Sequence, residues 1–323
     1  YDMQWGLLLQ YARSGDMRFF DRGLSAARHT ACIDQITWSP EPARMGIQKE
    51  HALWHVGGFG TPRIEGAKYW FQNGIYNTGH MWTQGTYAAY CLTGDRRLKD
   101  AIDCLPEWMA GQYCRYLERW VHRNYGWATM VVLGAYHTEP DPYYLNAARL
   151  FMKYVVSRQD PGTGGFIHPI GECEHRPRHM GGKTFMSGVE MTALRMIDAI
   201  EPSDEYKRAI TNTCDWMHAR MWHPEANGFQ YAQCTQYDKK PGSTGVTMSC
   251  EGMAYAYEFS KKAEYKEMLL RSLARMVKPG GGSSSGKGYA TQLRMLPFAF
   301  AIMERLGLAE LPAPPPQPPK MGM

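Results

Sequence analysis

The 323-residue sequence predicts an all-α fold, an α/α toroid built as an incomplete (α/α)5-6 barrel of antiparallel helical hairpins. Three observations carry that prediction. One phrase recurs five times: an apolar helix ending in an aromatic, a short polar turn with an acid, then an Ala-rich helix. The turn acids are spaced by 79, 46, 63 and 60 residues, longer and less regular than an open solenoid repeat. Strand signals are scarce, confined to possible short hairpins in 161–175 and 226–238.

Each element follows from its residues. The first copy runs Leu9 to Asp16, followed by Phe19 and Ala26-Ala27, and the second Tyr87 to Asp95, followed by Leu98 and Ala101. The third runs Gly134 to Asp141 with Tyr144 and Ala147-Ala148 behind it; the fourth spans Ile197 to Asp204, the fifth Tyr255 to Glu264. Asp or Ser in the turn accepts from free N–H groups of the next helix. Gly15 and Gly94 suit the left-handed residue that ends the preceding one. Leu293 to Leu306 reads as a closing helix, so residues 1–308 form the toroid. Residues 309–323 are a Pro-rich tail, an extended linker or arm. The Gly/Ser run at 280–288 is a flexible connector or a lid.

Composition narrows the classes of function. Ten Trp and twenty Tyr either line a carbohydrate cleft or fill gaps between helices. The net charge of +5 comes without a basic run, which excludes a nucleic-acid stripe but suits an anionic substrate. No stretch of about 20 apolar residues is present, so no membrane span is expected. The chain opens directly into helix-like sequence, as a mature protein or an excised domain would. Eight scattered cysteines without a C-x-x-C pair read as small buried hydrophobes, although an even count permits disulfides.

In a toroid the starts of the inner helices converge on one face. Here they carry Trp5; His80, Trp82 and Gln84; Arg123, Asn124, Tyr125 and Trp127; Glu190; Glu251; and Arg294. Solvated helix starts need a cap and some charge, not repeated aromatics beside His, Gln, Arg and Asn. Glu190 and Glu251 recur at equivalent points, although a first-turn Glu is also favoured by the helix dipole. His51 and His55, four apart, can face one side of a helix and hold a metal, a weak signal without the zincin Glu. A second loop holds His168, Cys173, His175 and His179, a possible structural zinc or calcium site without standard finger spacing. In the same loop Arg176, Arg178 and His179 suit substrate contacts, since guanidinium forks pair with carboxylates.

The stretch Gly79-His80-Met81-Trp82-Thr83-Gln84-Gly85, leading to Tyr90-Cys91-Leu92-Thr93-Gly94-Asp95, resembles the inner-helix pattern of glycan-active α/α-toroid enzymes. Arg123-Asn124-Tyr125-Gly126-Trp127 is a second such point, and the chain looks most like exo-rhamnogalacturonan-lyase-like polysaccharide lyases over residues 1–308. The resemblance implies β-elimination at a uronic acid, with an acidic polysaccharide or oligosaccharide as partner. The expected location is extracellular or periplasmic. No cofactor is required. Arg, His or a metal neutralises the substrate carboxylate; Tyr or His removes the C5 proton; an acid protonates the leaving oxygen. Tyr125, Arg123, Asn124 and His80 are the residues expected to supply this set. Such lyases usually carry β-sandwich domains too, so further domains, or self-assembly through the Pro-rich tail, are expected partners.

Two other classes stay open. A glycoside hydrolase on the same fold would use a carboxylate pair drawn from Glu190, Glu251 and Asp2. A non-catalytic toroid would bind glycan or serve as an assembly module. The discriminating feature is whether the cleft centres on Tyr, His and Arg or on two carboxylates.

Overall fold

The structure, a computed structural model, describes residues 1–40, 42, 45–48, 78–111, 123–170, 175–234, 241–242, 245–277, 286–308 and 310–311. The His51/His55 pair, Cys173, most of the Gly/Ser run and nearly all of the Pro-rich tail lie outside the described residues. Eleven α-helices and four two-residue strands are found among those described. None of these helices is long and apolar enough to cross a membrane.

The hairpins fall where the recurring phrase puts them. They are α1 (Met3–Ser14) with α2 (Met17–His29), α3 (Gln84–Thr93) with α4 (Arg96–Gly111), and α5 (Arg123–Thr138) with α6 (Pro142–Ser157). Then come α7 (Thr184–Asp198) with α8 (Asp204–Arg220), α9 (Val246–Ser260) with α10 (Ala263–Val277), and α11 (Gly286–Arg305). The turn chemistry is the expected one. Gly15 and Gly94 close their helices at φ 70° and 71°, each N–H donating back to a Tyr carbonyl. The carboxylates of Asp16, Asp95 and Asp141 accept from the N–H two residues on, and the Ser203 hydroxyl does the same for Glu205. The fifth turn has no glycine there, and Lys261 itself adopts φ 57°.

Two compact units divide the chain. Unit 1 comprises Tyr1–Arg158, Thr192–Tyr206 and Ala290–Arg294, and unit 2 comprises Gln159–Met191, Lys207–Tyr289 and Met295–Met323. In unit 1 small residues let helices approach: Leu8, Ala27, Ala31, Ala89 and Leu98 form one apolar cluster. Residues 124–135 of α5 are buried on every side, the pattern of an interior helix. By contrast α2 keeps only Gly23 and Ala27 buried and exposes its charged face. The Tyr87 hydroxyl of α3 donates to Asp103 of α4 at 2.7 Å, and Lys99 bridges Asp103 and Glu139 at 2.7 and 2.9 Å.

In unit 2 the Tyr265 hydroxyl of α10 donates to Asp215 of α8 at 2.6 Å, beside Lys262. Close approach of α7 and α9 requires glycine. A Cβ at Gly252 would lie 2.4 Å from the Met191 Cβ, and one at Gly188 would lie 2.6 Å from the Met248 backbone.

Three features depart from expectation. The closing helix begins earlier, at Gly286, because Ala290, Thr291 and Met295 already offer a buried face. The strands are shorter, and each predicted window supplies only one member of a pair. His168–Pro169 (β1) pairs with Met180–Gly181 (β2), and Trp222–His223 (β3) with Gly228–Phe229 (β4). Pro169 lacks an N–H for a longer ladder. Of the six cysteines described, Cys214, Cys234 and Cys250 are buried, Cys104 is half-buried, and Cys32 and Cys91 are exposed; all six are free thiols.

The α7–α9 approach is testable. Gly252→Ala should destabilise the protein by about 1–3 kcal/mol through overpacking against a Cβ that cannot swing away. Denaturant unfolding with an unchanged midpoint would refute the close crossing.

Candidate functional site

Unit 1 gathers its polar chemistry where helices α1 and α3 start. Asp2 caps α1 from a left-handed backbone (φ 55°), a conformation that Asp tolerates better than most residues. Its carboxylate accepts from the Trp5 N–H at 3.3 Å and from the Gly85 N–H at 3.2 Å, and it faces the Arg294 guanidinium of α11 at 3.3 Å. Both side chains are sealed from solvent, with 0 % and 3 % exposure. Burial pushes the Asp2 carboxyl up, against the pull of Arg294 and of the two amides. Arg294 also donates to the Gln84 side chain and lies 5.0 Å over the Trp127 ring. Gly85 makes this convergence possible, since a Cβ there would meet the Trp5 backbone nitrogen at 2.3 Å.

A ring of aromatics stands on this base. Tyr1 contacts His80 edge-on at 5.6 Å, Trp82 at 5.0 Å and Trp127 at 6.1 Å between centroids. Trp82 meets both His80 and Trp127 edge-on, at 5.9 and 5.7 Å. Gln48 fixes the Trp82 backbone, accepting from its N–H at 2.9 Å and donating to its carbonyl at 2.8 Å.

Beside this ring lies a cavity of about 530 Å³, lined in part by Tyr1, His80, Trp82, Arg22, His29 and Asp34. Asp34 lies 3.4 Å from the His29 ring. Asp2 and Asp34 are the acidic residues of the lining among those described, the Asp2 carboxylate itself being sealed against Arg294. Each therefore faces a basic group, Arg294 for Asp2 and His29 for Asp34.

The expected residues divide into groups. His80, Trp82, Gln84, Trp127 and Arg294 meet here, and Trp5 is tied in through its backbone. Tyr125 does not line this cavity. Its ring is fully buried, 4.8 Å from that of Tyr154 and 6.1 Å from that of Phe151. Two helical residues apart means about 200° of rotation, so with Trp127 on the cavity side Tyr125 faces its own hairpin partner. Asn124 is buried and Arg123 half-buried at the start of α5. Glu190 and Glu251 are buried in α7 and α9 of unit 2, at 0 % and 1 % exposure. Arg176, Arg178 and His179 are exposed, also in unit 2.

Of the expected metal ligands, His168 is buried in β1, while His175 and His179 meet Cys234 instead. Sequence reasoning missed Tyr1, Arg22, His29 and Asp34 as lining residues. Arg22 and His29 lie on an outer helix and look like an ordinary solvated face. The available signal was the antiparallel hairpin itself, which returns the end of α2 beside the start of α1.

No protein-family model matches the chain, and no curated protein matches its sequence. Solved structures do. A polysaccharide lyase is similar over 96 % of this chain and 91 % of its own, with a TM-score of 0.64 at 12 % identity. A glycosyl hydrolase family 88 protein from Bacteroides vulgatus is similar over 95 % and 91 %, with a TM-score of 0.64 at 12 % identity. An inactive variant of an α-1,6-mannanase from Salegentibacter, in complex with α-1,6-mannotetrose, is similar over 66 % and 63 %, with a TM-score of 0.50 at 12 % identity. The fold is all-α, an α/α toroid.

The Asp2–Arg294 pair has a direct test. Arg294→Leu strands a buried carboxylate and should cost about 3–5 kcal/mol in unfolding experiments at neutral pH. Without the cation the folded-state pKa of Asp2 rises further, so stability falls as pH climbs through that range and the deficit shrinks in acid. A deficit that does not change with pH would show that the carboxylate is not the group left stranded.

Proposed function

We propose that this chain is a polysaccharide lyase that cleaves a uronic-acid-containing glycan by β-elimination, with the unit 1 cavity as its site. One observation carries the reading: the cavity presents Tyr1, His80 and Arg22, while each of its carboxylates faces a basic group. Elimination needs a base, an acid and a cation for the substrate carboxylate. Hydrolysis needs two carboxylates that work together. Likeness to a polysaccharide lyase over nearly the whole chain supports a glycan-active enzyme, without separating lyase from hydrolase.

In this scheme Arg22 pairs with the uronate and acidifies the C5 proton, and His80, neutral, removes that proton. The C4–O bond breaks as the C4–C5 double bond forms, and the Tyr1 hydroxyl protonates the departing oxygen. Solvent then returns Tyr1 and His80 to their starting states. Trp82, half-buried beside them, offers a ring for sugar stacking. Base duty thus falls to His80 and acid duty to Tyr1, because Tyr125 is packed against Tyr154.

A hydrolase reading is favoured by one separate observation. Glu190 and Glu251 are buried in α7 and α9 of unit 2, beyond the first turn where the helix dipole would account for them, and a family 88 hydrolase is equally similar in fold.

The test is incubation with pectic, ulvan and glucuronan oligosaccharides, following ultraviolet absorbance of the unsaturated uronide. Absorbance should rise and fall by about 100-fold or more in rate in His80→Ala and in Tyr1→Phe. New reducing ends without absorbance would overturn the lyase assignment in favour of the hydrolase. Binding of these glycans with neither signal would point to a non-catalytic toroid.

A further inference from the structure

We propose that His175, His179 and Cys234 form a zinc site in unit 2. One donor atom from each lies within 4.8 Å of the other two. The Cys234 sulfur is 3.9 Å from His175 Nδ1, and the two imidazoles stack with centroids 3.8 Å apart and planes inclined by 19°. Cys234 is 6 % exposed, so its sulfur faces the imidazoles from the protein side, while His179 lies at the surface and leaves an entry path.

The backbone brings these residues together before any ion arrives. His179 follows the loop from β1, and its carbonyl accepts from the Ile170 N–H at 2.9 Å. The next strand segment pairs with the Cys234 segment: Lys183 bridges Ala232, and the Gln233 N–H donates to the Gly182 carbonyl at 3.0 Å. The Gln233 side chain accepts from the Trp216 indole N–H at 3.1 Å, anchoring that segment to α8. Ile170, Ala232 and Cys234 share one small apolar cluster. Donors held by backbone pairing and an apolar backing lose little freedom on binding a metal.

The donor chemistry selects the ion. Two imidazole nitrogens and a thiolate suit zinc, whereas calcium and magnesium take oxygen ligands. On binding, the Cys234 thiol releases its proton to solvent, and the sulfur and two nitrogens donate their electron pairs to the ion. Three protein ligands leave the fourth tetrahedral position to water or to another donor. The ion would pin His175 and His179 to the Cys234 segment, adding to the backbone pairing and the small apolar cluster already there.

The test uses the whole chain, reduced and stripped of metal. Zinc titrated against a chromophoric chelator should bind at one equivalent per chain. Cobalt in its place should give a thiolate charge-transfer band. His179→Ala and Cys234→Ser should each weaken zinc binding by about 100-fold or more, and Cys234→Ser should abolish the cobalt band. His179 is exposed, so its replacement is expected to leave far-ultraviolet circular dichroism unchanged and carries the test even if Cys234→Ser fails to fold. Failure to bind zinc would overturn the proposal, and so would binding that both substitutions leave intact.

Discussion

The Asp2–Arg294 ion pair is the constraint on which unit 1 depends. It joins residues 292 positions apart, and neither partner reaches solvent. Withdrawing two charges from water costs several kcal/mol per ion, which attraction alone offsets only with good geometry and further hydrogen bonds. The structure supplies those bonds. Two backbone N–H groups approach the carboxylate, while the guanidinium meets Gln84 and the face of Trp127. Every one of these partners belongs to a helix start that also carries part of the aromatic ring. The pair therefore fixes where Tyr1, Trp82 and Trp127 stand.

In the proposed function, that ring serves stability and recognition together. Edge-on aromatic pairs place positive ring edges against negative faces, which fixes orientation as well as burying area. Trp127 is fully buried and supports the others, whereas Tyr1 and Trp82 remain partly open beside the cavity. A sugar face meeting those two rings would find them already immobilised by Trp127 and Gln48. Little ordering cost would then remain to be met on binding.

The fold was legible because its signals are local. Gly15, Gly94, Asp16, Asp95 and Asp141 perform in the structure the capping roles that their residue types and spacing suggest. The site was legible only in part, for a physical reason. On a helix buried all round, such as α5, apolar periodicity no longer marks an inner side, so Tyr125 and Trp127 look equivalent until packing separates them. Arg22 has no signature at all, because a charged residue on an amphipathic helix is the ordinary solvated case. Cys234 stands 59 residues from His175 and is joined to it by strand pairing that no spacing rule encodes.

The proposed function rests on electrostatics rather than on fold, since a polysaccharide lyase and a family 88 hydrolase are equally similar to the chain. A cavity for a uronate must hold an anion beside its own acidic residues, and so needs a cation directed at the substrate. Asp2 faces a buried guanidinium and Asp34 lies 3.4 Å from the His29 ring, so Arg22 is the fixed cation that the described lining offers a substrate. A neutral glycan would gain nothing from Arg22, and of the two acidic residues of the described lining Asp2 is sealed against Arg294, which leaves Asp34 alone for acid catalysis. Glu190 and Glu251 do not alter this balance in unit 1, since both are buried within unit 2. The same Arg22 guanidinium that would draw a polyanionic chain toward the cavity would also acidify the proton beside its carboxylate. On the proposed reading attraction and chemistry would thus come from one group, which is the physical case for elimination at this cavity.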